Sequence, residues 1–245
     1  MTWVKICGMT NLEDALVAVD AGADAVGFVF YDKSPRCVTV ETAREIVGKL
    51  PKEVEKIGVF VDPDSDPIHV LLDAGLTGTQ SYFSAEGVAG SNSGTKAIGV
   101  ECLPPRARFL MAFPMSLFGK DVSQVERMAA SFAESRRKTP SIRSIPDRLF
   151  DTFLLDSGNL RQPGGTGKTF DWVKVRGVSD AMRNNGLKLV VAGGLTRENV
   201  GEAIETLRPW GVDVVSGVEA SPGKKDPEKV RAFVRAVRET DRKTS

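Results

Sequence analysis

FLLDSGNLRQPGGTGKTFDW, residues 153–172, contains an apolar run, an acid and a glycine-rich loop in that order. Its first three residues form an apolar run that predicts a buried strand, and Asp156 follows at the end of that strand. A glycine-rich loop at residues 164–169 then leads into a helix that begins near Phe170. A carboxylate at a strand tip, beside a loop with many backbone N–H groups, is typical of an acid–base site next to an anionic ligand. Taken alone, the pattern also fits a glycine turn with an unrelated acid.

The end of this loop, Gly167-Lys168-Thr169, has the appearance of a nucleotide-binding P-loop. That motif requires a glycine five positions before Gly167, where this chain has Gln162. The spacing from the strand to the first glycine of the loop also differs. The sequence therefore argues against an ATPase.

The bulk composition excludes several classes of protein. The 245 residues include 33 basic and 32 acidic side chains, so we expect neither a nucleic-acid nor a membrane partner. The cysteines Cys7, Cys37 and Cys102 are odd in number and widely spaced, which fits no zinc pattern and indicates a reducing compartment. The single histidine, His69, argues against histidine-based triads and metal sites.

No apolar run approaches the roughly 18 residues that would span a bilayer. The first residues, MTWVK, lack the pattern of a signal peptide. We therefore expect a cytoplasmic protein.

Apolar segments and amphipathic segments alternate along most of the chain. Eight predicted strands begin near residues 4, 25, 57, 78, 96, 153, 189 and 212, and helices follow most of them. This count predicts a single (β/α)8 barrel over residues 1–240, with a frayed tail at 241–245. No dinucleotide fingerprint follows the first strand, which argues against an open doubly wound sheet. Residues 81–151 are atypical, and residues 109–113 within them could form an extra strand.

In such barrels the active site lies at the carboxyl ends of the strands. The residues predicted there are Cys7, Arg36, Gln80, Asp156, residues 164–168, Gly193-Gly194 and Ser216-Gly217. The loops after predicted strands six, seven and eight are all glycine-rich, and each of the last two leads into a helix. Together they predict a phosphate site at the mouth of the barrel.

The side chains at this mouth suggest a proton-transfer pair. A Cys7 thiolate could act as a base if a positive neighbour or backbone dipoles lowered its pKa, although a free cysteine is more commonly a small buried hydrophobe. Asp156 could act as an acid if burial raised its pKa. Such a pair fits an isomerisation that needs neither metal nor cofactor. Arg36 could bind a substrate carboxylate, or could form a surface salt bridge.

Seven motifs, in this order and at these strand ends, closely resemble the phosphoribosylanthranilate isomerase family of tryptophan biosynthesis. They are VKICGMT at 4–10, SPR at 34–36, LDS at 155–157, GGTGKTFDW at 164–172, AGGL at 192–195, SGVE at 216–219 and SPGKKD at 221–226. The resemblance covers roughly residues 3–62 and 152–238. It implies a (β/α)8 fold and a cofactor-free Amadori rearrangement. The substrate would be N-(5-phosphoribosyl)anthranilate, and the product 1-(2-carboxyphenylamino)-1-deoxyribulose 5-phosphate.

The resemblance also implies roles for individual residues. Asp156 matches the general acid that protonates the ribose ring oxygen, and Cys7 matches the general base that removes the C2′ proton. Arg36 matches the residue that holds the anthranilate carboxylate. The residues that match the phosphate-binding loops are Gly165, Gly193, Gly194, Ser216 and Gly217. The implied partner is a small phosphosugar. We expect the protein to be a monomer or a homodimer, and the sequence does not distinguish between them.

The chain departs from the family around strand four. Members usually carry Gln-Leu-His-Gly at the end of that strand, whereas this chain has Gln80-Ser81-Tyr82-Phe83. The connection between predicted strands five and six is also longer than usual. These departures put the local wall of the pocket in question and leave Cys7 and Asp156 in place.

Two alternatives follow from the same residues. A related aldose–ketose isomerase of the histidine pathway would share the barrel. Those enzymes typically use a pair of aspartates for proton transfer, so the cysteine at position 7 of this chain argues against that function. A non-catalytic phosphosugar-binding barrel would result if the altered strand-four side closed the pocket.

Overall fold

The barrel predicted from the sequence is present. The computed structural model describes residues 1–61, 65–82, 103–104, 107–118, 123–138, 151–158 and 169–244. Eight parallel strands close on themselves in chain order, so the (β/α)8 fold is confirmed. The strands are β1 Trp3–Cys7, β2 Ala25–Val29, β3 Glu55–Phe60, β4 Gly78–Tyr82, β5 Arg108–Pro114, β6 Thr152–Asp156, β7 Lys188–Val191 and β8 Gly211–Val214.

Helices surround this barrel and cover the outer face of the strands. They are α1 Leu12–Asp20, α2 Val40–Val47, α3 Pro67–Ala74, α4 Ser123–Lys138, α5 Arg176–Asn184, α6 Val200–Leu207 and α7 Pro227–Thr244. A short 3-10 helix, Ser216–Val218, follows β8, and an antiparallel pair of strands, β9 Glu219–Ser221 and β10 Lys224–Lys225, precedes α7. Within the described ranges, every helix is too short or too polar to cross a membrane.

The first strand illustrates how the chain builds two cores. All five residues of β1 are buried, as expected for a parallel strand that is covered on both faces. Val4 and Ile6 pack in the large cluster that includes the helices. Trp3 and Cys7 belong to two separate clusters within the barrel, with the buried Lys5 between them. Alternation along the strand therefore aims Trp3, Lys5 and Cys7 into the barrel, with Cys7 at its carboxyl end.

The prediction for strand five was wrong. The strand between β4 and β6 is β5, where Gly78 pairs with Arg108 and Pro114 pairs with Asp156. The run proposed for this position, residues 96–100, lies outside the described residues. Both runs are apolar enough for a buried strand, and only pairing with the neighbouring strands decides which one enters the barrel. As a result, the connection from β4 to β5 covers residues 83–107, and that from β5 to β6 covers residues 115–151.

The prediction of a frayed tail from Asp241 was also wrong, because α7 continues to Thr244. The backbone N–H of Thr2 donates to Asp241 Oδ2 at 3.0 Å, and the Thr2 hydroxyl donates to Oδ1 at 2.6 Å. Both residues are buried. The two ends of the chain therefore hold each other in place, a contact between residues too far apart in sequence for any local pattern to reveal.

We expect Asp241→Ala to lower the free energy of unfolding by about 1–3 kcal/mol, because it leaves buried donors of Thr2 without their acceptor. Urea denaturation followed by circular dichroism measures this change. Lys243→Ala, on the exposed side of the same helical turn, is the matched control and should change stability little. Equal stability of the wild type and Asp241→Ala would show that the contact between the chain ends is not stabilising.

Candidate active site

A cleft opens at the carboxyl ends of the strands. It brings together seven of the eight site residues that the sequence predicted. They are Cys7, Arg36, Asp156, Gly193, Gly194, Ser216 and Gly217. The eighth, Gly165, lies outside the described residues. Gln80, which was also predicted at this end of the barrel, lines the cleft as well.

Cys7 ends β1 and is only 3% exposed at the floor of the cleft. Gly27 on β2 makes room for it, because a Cβ at that position would lie 2.6 Å from Cys7 Sγ. Burial raises the pKa of the Cys7 thiol, although the nearby Lys5 and Lys225 act in the opposite direction. Burial outweighs these positive neighbours, so the pKa of Cys7 lies above its ordinary value.

Lys5 is a positive neighbour of Cys7 and was not among the site residues predicted from the sequence. Its ammonium is fully buried and donates to Asp213 Oδ1 and Gln80 Oε1, both at 3.0 Å. Burial lowers the pKa of Lys5, but Asp213 and Cys7 more than offset this effect, so the net pKa is raised and the group stays charged. The sequence could have revealed Lys5 as a neighbour of Cys7, because residues two apart on a strand share a face.

Asp156 ends β6 and is 3% exposed. Its Oδ1 accepts a hydrogen bond from the backbone N–H of Gly158 at 2.8 Å, and its Oδ2 accepts one from the Tyr82 hydroxyl at 2.9 Å. Burial raises the pKa of Asp156, and these two hydrogen bonds limit the rise. A raised pKa is the direction that a carboxyl group needs if it is to hold a proton for transfer.

Arg36 reaches the cleft and makes a bidentate ion pair with Glu219. Its Nε donates to Oε1 at 2.8 Å and its Nη2 donates to Oε2 at 2.7 Å. The two side chains are 13% and 4% exposed, so this is not the surface salt bridge considered from the sequence. Lys225 Nζ also donates to Glu219 Oε1, at 3.1 Å. Burial alone would raise the pKa of Glu219, but Arg36 and Lys225 hold it below the ordinary value, so the carboxylate stays ionised.

The glycine loops after β7 and β8 meet beside the cleft. Gly193 has a φ of +89°, and a Cβ there would lie 2.1 Å from Ser157 Oγ. A Cβ on Gly217 would lie 2.0 Å from the carbonyl oxygen of Leu195 in the other loop. Only glycine tolerates these positions, so the cleft wall here is bare backbone, as an anion site requires.

A family model described as N-(5'phosphoribosyl)anthranilate (PRA) isomerase matches residues 4–78 and 123–236 of this chain. The N-(5'-phosphoribosyl)anthranilate isomerase of Pelobacter propionicus is 41% identical over 244 residues, covering 98% of this chain and 97% of that protein. The protein of the same name from Pseudomonas aeruginosa strain PAO1 is 41% identical over 235 residues, covering 96% and 94%.

Solved structures give the same result. Phosphoribosyl anthranilate isomerase from Thermotoga maritima is 36% identical, with a TM-score of 0.70, and the match covers 98% of this chain and 100% of that chain. A phosphoribosyl anthranilate isomerase in complex with reduced 1-(o-carboxyphenylamino)-1-deoxyribulose 5-phosphate is 33% identical, with a TM-score of 0.68 and the same coverage. The motifs, the barrel and these relatives agree, and the chain belongs to the N-(5'-phosphoribosyl)anthranilate isomerase family.

Proposed function

We propose that this protein converts N-(5'-phosphoribosyl)anthranilate to 1-(2-carboxyphenylamino)-1-deoxyribulose 5-phosphate in tryptophan biosynthesis. The observation that carries the proposal is one cleft that contains Cys7, Asp156 and two glycine loops, in a chain that belongs to this family. A structural relative binds a reduced form of that product. The single-domain organisation, the cytoplasmic location and the monomeric or homodimeric state stay predictions.

In the first step, Asp156 donates its proton to the ring oxygen of the ribose. The C1′–O4′ bond breaks, and the lone pair of the anthranilate nitrogen forms the C1′=N bond of a Schiff base. Burial favours the protonated form of Asp156 before this step, since it raises the pKa of the carboxyl group. The environment of Asp156 therefore suits the general acid that opens the ring.

In the second step, the Cys7 thiolate removes the proton from C2′. The electrons of that C–H bond form the C1′=C2′ bond, and the C=N pair returns to nitrogen, giving an enolamine that tautomerises to the ketone. Lys5 supports this step, because its buried ammonium lies against Cys7 and lowers the thiol pKa relative to burial alone. Both proton transfers are performed by side chains of this chain.

Two further features would hold the substrate. The backbone of the two loops, at Gly193, Gly194, Ser216 and Gly217, suits the phosphate group. Glu219 occupies the Nε–Nη2 edge of Arg36, so a substrate carboxylate would use the Nη1–Nη2 edge. Glu219 thus orients Arg36 as well as neutralising it.

The two alternatives are less well supported. A non-catalytic binding protein would require a closed pocket on the strand-four side, but Gln80 and Tyr82 line the same cleft as Cys7 and Asp156. A histidine-pathway isomerase with paired aspartates remains disfavoured by Cys7 at the end of β1.

We expect Cys7→Ala and Asp156→Asn each to lower kcat about 10²–10⁴-fold, since each removes a proton-transfer group. Steady-state kinetics measures the loss, and complementation of a tryptophan auxotroph lacking this isomerase tests it in cells. Cys37→Ala, which removes an exposed cysteine, is the matched control and should complement like the wild type. Wild-type turnover in both site variants, with folding verified by circular dichroism, would refute the mechanism.

We expect Glu219→Gln to raise KM about tenfold with a smaller effect on kcat, because Arg36 loses the charged partner that orients it. Glu228→Gln, which alters an exposed ion pair with Arg231, is the control and should leave KM unchanged. Thermal denaturation of both variants separates a binding defect from a folding defect. A Glu219→Gln protein with wild-type KM would show that Arg36 needs no help from Glu219.

The raised pKa of Cys7 predicts a pH dependence. Only the thiolate reacts with iodoacetamide, so alkylation of Cys7 should accelerate with pH and reach half its limiting rate above the usual thiol value of about 8.5. Mass spectrometry of the Cys37→Ala/Cys102→Ala protein measures the rate at Cys7 alone. Lys5→Met should move the midpoint to still higher pH, because it removes the positive charge. An alkylation midpoint for Cys7 below that of a free cysteine would show that the pKa of this thiol is not raised.

A further inference from the structure

Tyr82 is the last residue of β4 and lines the cleft beside Asp156. It stands at the position where the family motif has histidine. Its hydroxyl donates to Asp156 Oδ2 at 2.9 Å, across the intervening strand β5. The departure from the family motif therefore falls on a side chain that contacts the general acid directly.

Among the described residues, two donors to Asp156 have different origins. Gly158 is only two residues further along the chain, so its N–H bond to Oδ1 comes from the local turn. Tyr82 reaches Oδ2 from another strand, and its contact therefore depends on the assembled barrel. Together these donors fix the plane of the carboxyl group, and within the described ranges Tyr82 is the donor to the oxygen that the turn does not hold.

We propose that Tyr82 is a positioning residue for the general acid, holding the Asp156 carboxyl group toward the ribose ring oxygen and stabilising the carboxylate that forms when the proton leaves. This inference rests on the proposed isomerase function. In the step concerned, the Asp156 O–H bond breaks, a new O–H bond forms at the ring oxygen, and the Tyr82 O–H bond stays intact throughout. The hydrogen bond strengthens as the charge develops on Asp156, so it favours the transition state over the ground state.

The pKa of Asp156 depends on burial and on groups from several parts of the barrel. Burial is the largest influence and raises its pKa, and Asp213 on β8 acts in the same direction. The Gly158 N–H, the Tyr82 hydroxyl and Lys5 on β1 oppose that rise. Removing the Tyr82 hydroxyl leaves burial and Asp213 less opposed, so the carboxyl group becomes a weaker acid and titrates at higher pH.

The ring of Tyr82 also packs against two clusters of barrel residues, one of which includes Cys7. Tyr82→Phe keeps that ring and removes only the hydroxyl, so it separates hydrogen bonding from packing. The chain contains two tyrosines, and the other, Tyr31, lines the same cleft. Tyr31→Phe is therefore a matched control for the loss of one tyrosine hydroxyl.

The test titrates the Asp156 carboxyl carbon by ¹³C NMR, with the signal assigned by its loss in Asp156→Asn, alongside the pH profile of kcat. In Tyr82→Phe we expect the midpoint of the Asp156 titration to rise by about one pH unit or more. The limb of the kcat–pH profile that reports Asp156 should move with it, and kcat should fall about tenfold. Tyr31→Phe should leave the Asp156 titration unchanged. Tyr82→His, which restores a donor, should recover part of both effects.

An unchanged Asp156 titration in Tyr82→Phe would overturn the proposal, whether kcat is retained or lost, since a loss of kcat alone would indicate packing. The titration needs no substrate and therefore decides on the link between Tyr82 and Asp156 by itself. An inactive wild-type protein would instead refute the proposed function, so the two failures are distinguishable.

Discussion

The buried ammonium of Lys5 is the constraint on which the site depends. A charge with no exposed surface is tolerated only when it is paired, and Lys5 meets this need with Asp213 from β8 and Gln80 from β4. Three strands are thereby fixed around one positive charge in the middle of the barrel. Cys7 lies one layer above it on the same strand, so the interaction that satisfies the interior also sets the electrostatic environment of the cleft floor.

A second charged group, built around Glu219, organises the rim. Glu219 joins Arg36, from the loop after β2, to Lys225, from the β9–β10 pair that follows β8. The Glu219 carboxylate also accepts a hydrogen bond from the backbone N–H of Gly223. Because these groups are buried or half-buried, each charge would destabilise the fold if it had no partner. Together they hold Arg36 in one orientation. The Lys5 group therefore sets the charge beside the Cys7 thiol at the floor of the cleft, and the Glu219 group fixes the Arg36 cation at its rim.

Local pattern was sufficient for most of the barrel. Seven of the eight predicted strands begin within a few residues of those in the structure, because buried parallel strands are short apolar runs bounded by turns. Strand five was misplaced because two apolar runs competed for one place and pairing is not encoded in either run alone. The helical end of the chain was missed for a similar reason, since Asp241 is held by Thr2 from the other terminus.

The sequence alone was sufficient to predict the barrel and to place Cys7, Arg36 and Asp156 at its mouth, because the apolar runs mark the strands and these residues follow or end them. It did not reveal Lys5, Glu219 or Tyr82 as partners of Cys7, Arg36 and Asp156. Lys5 shares a strand face with Cys7, but the direction of each pKa depends on burial and on charges from strands far apart in sequence. Desolvation and cross-barrel hydrogen bonds exist only after the strands have closed, and so only the tertiary structure could decide how these groups are tuned.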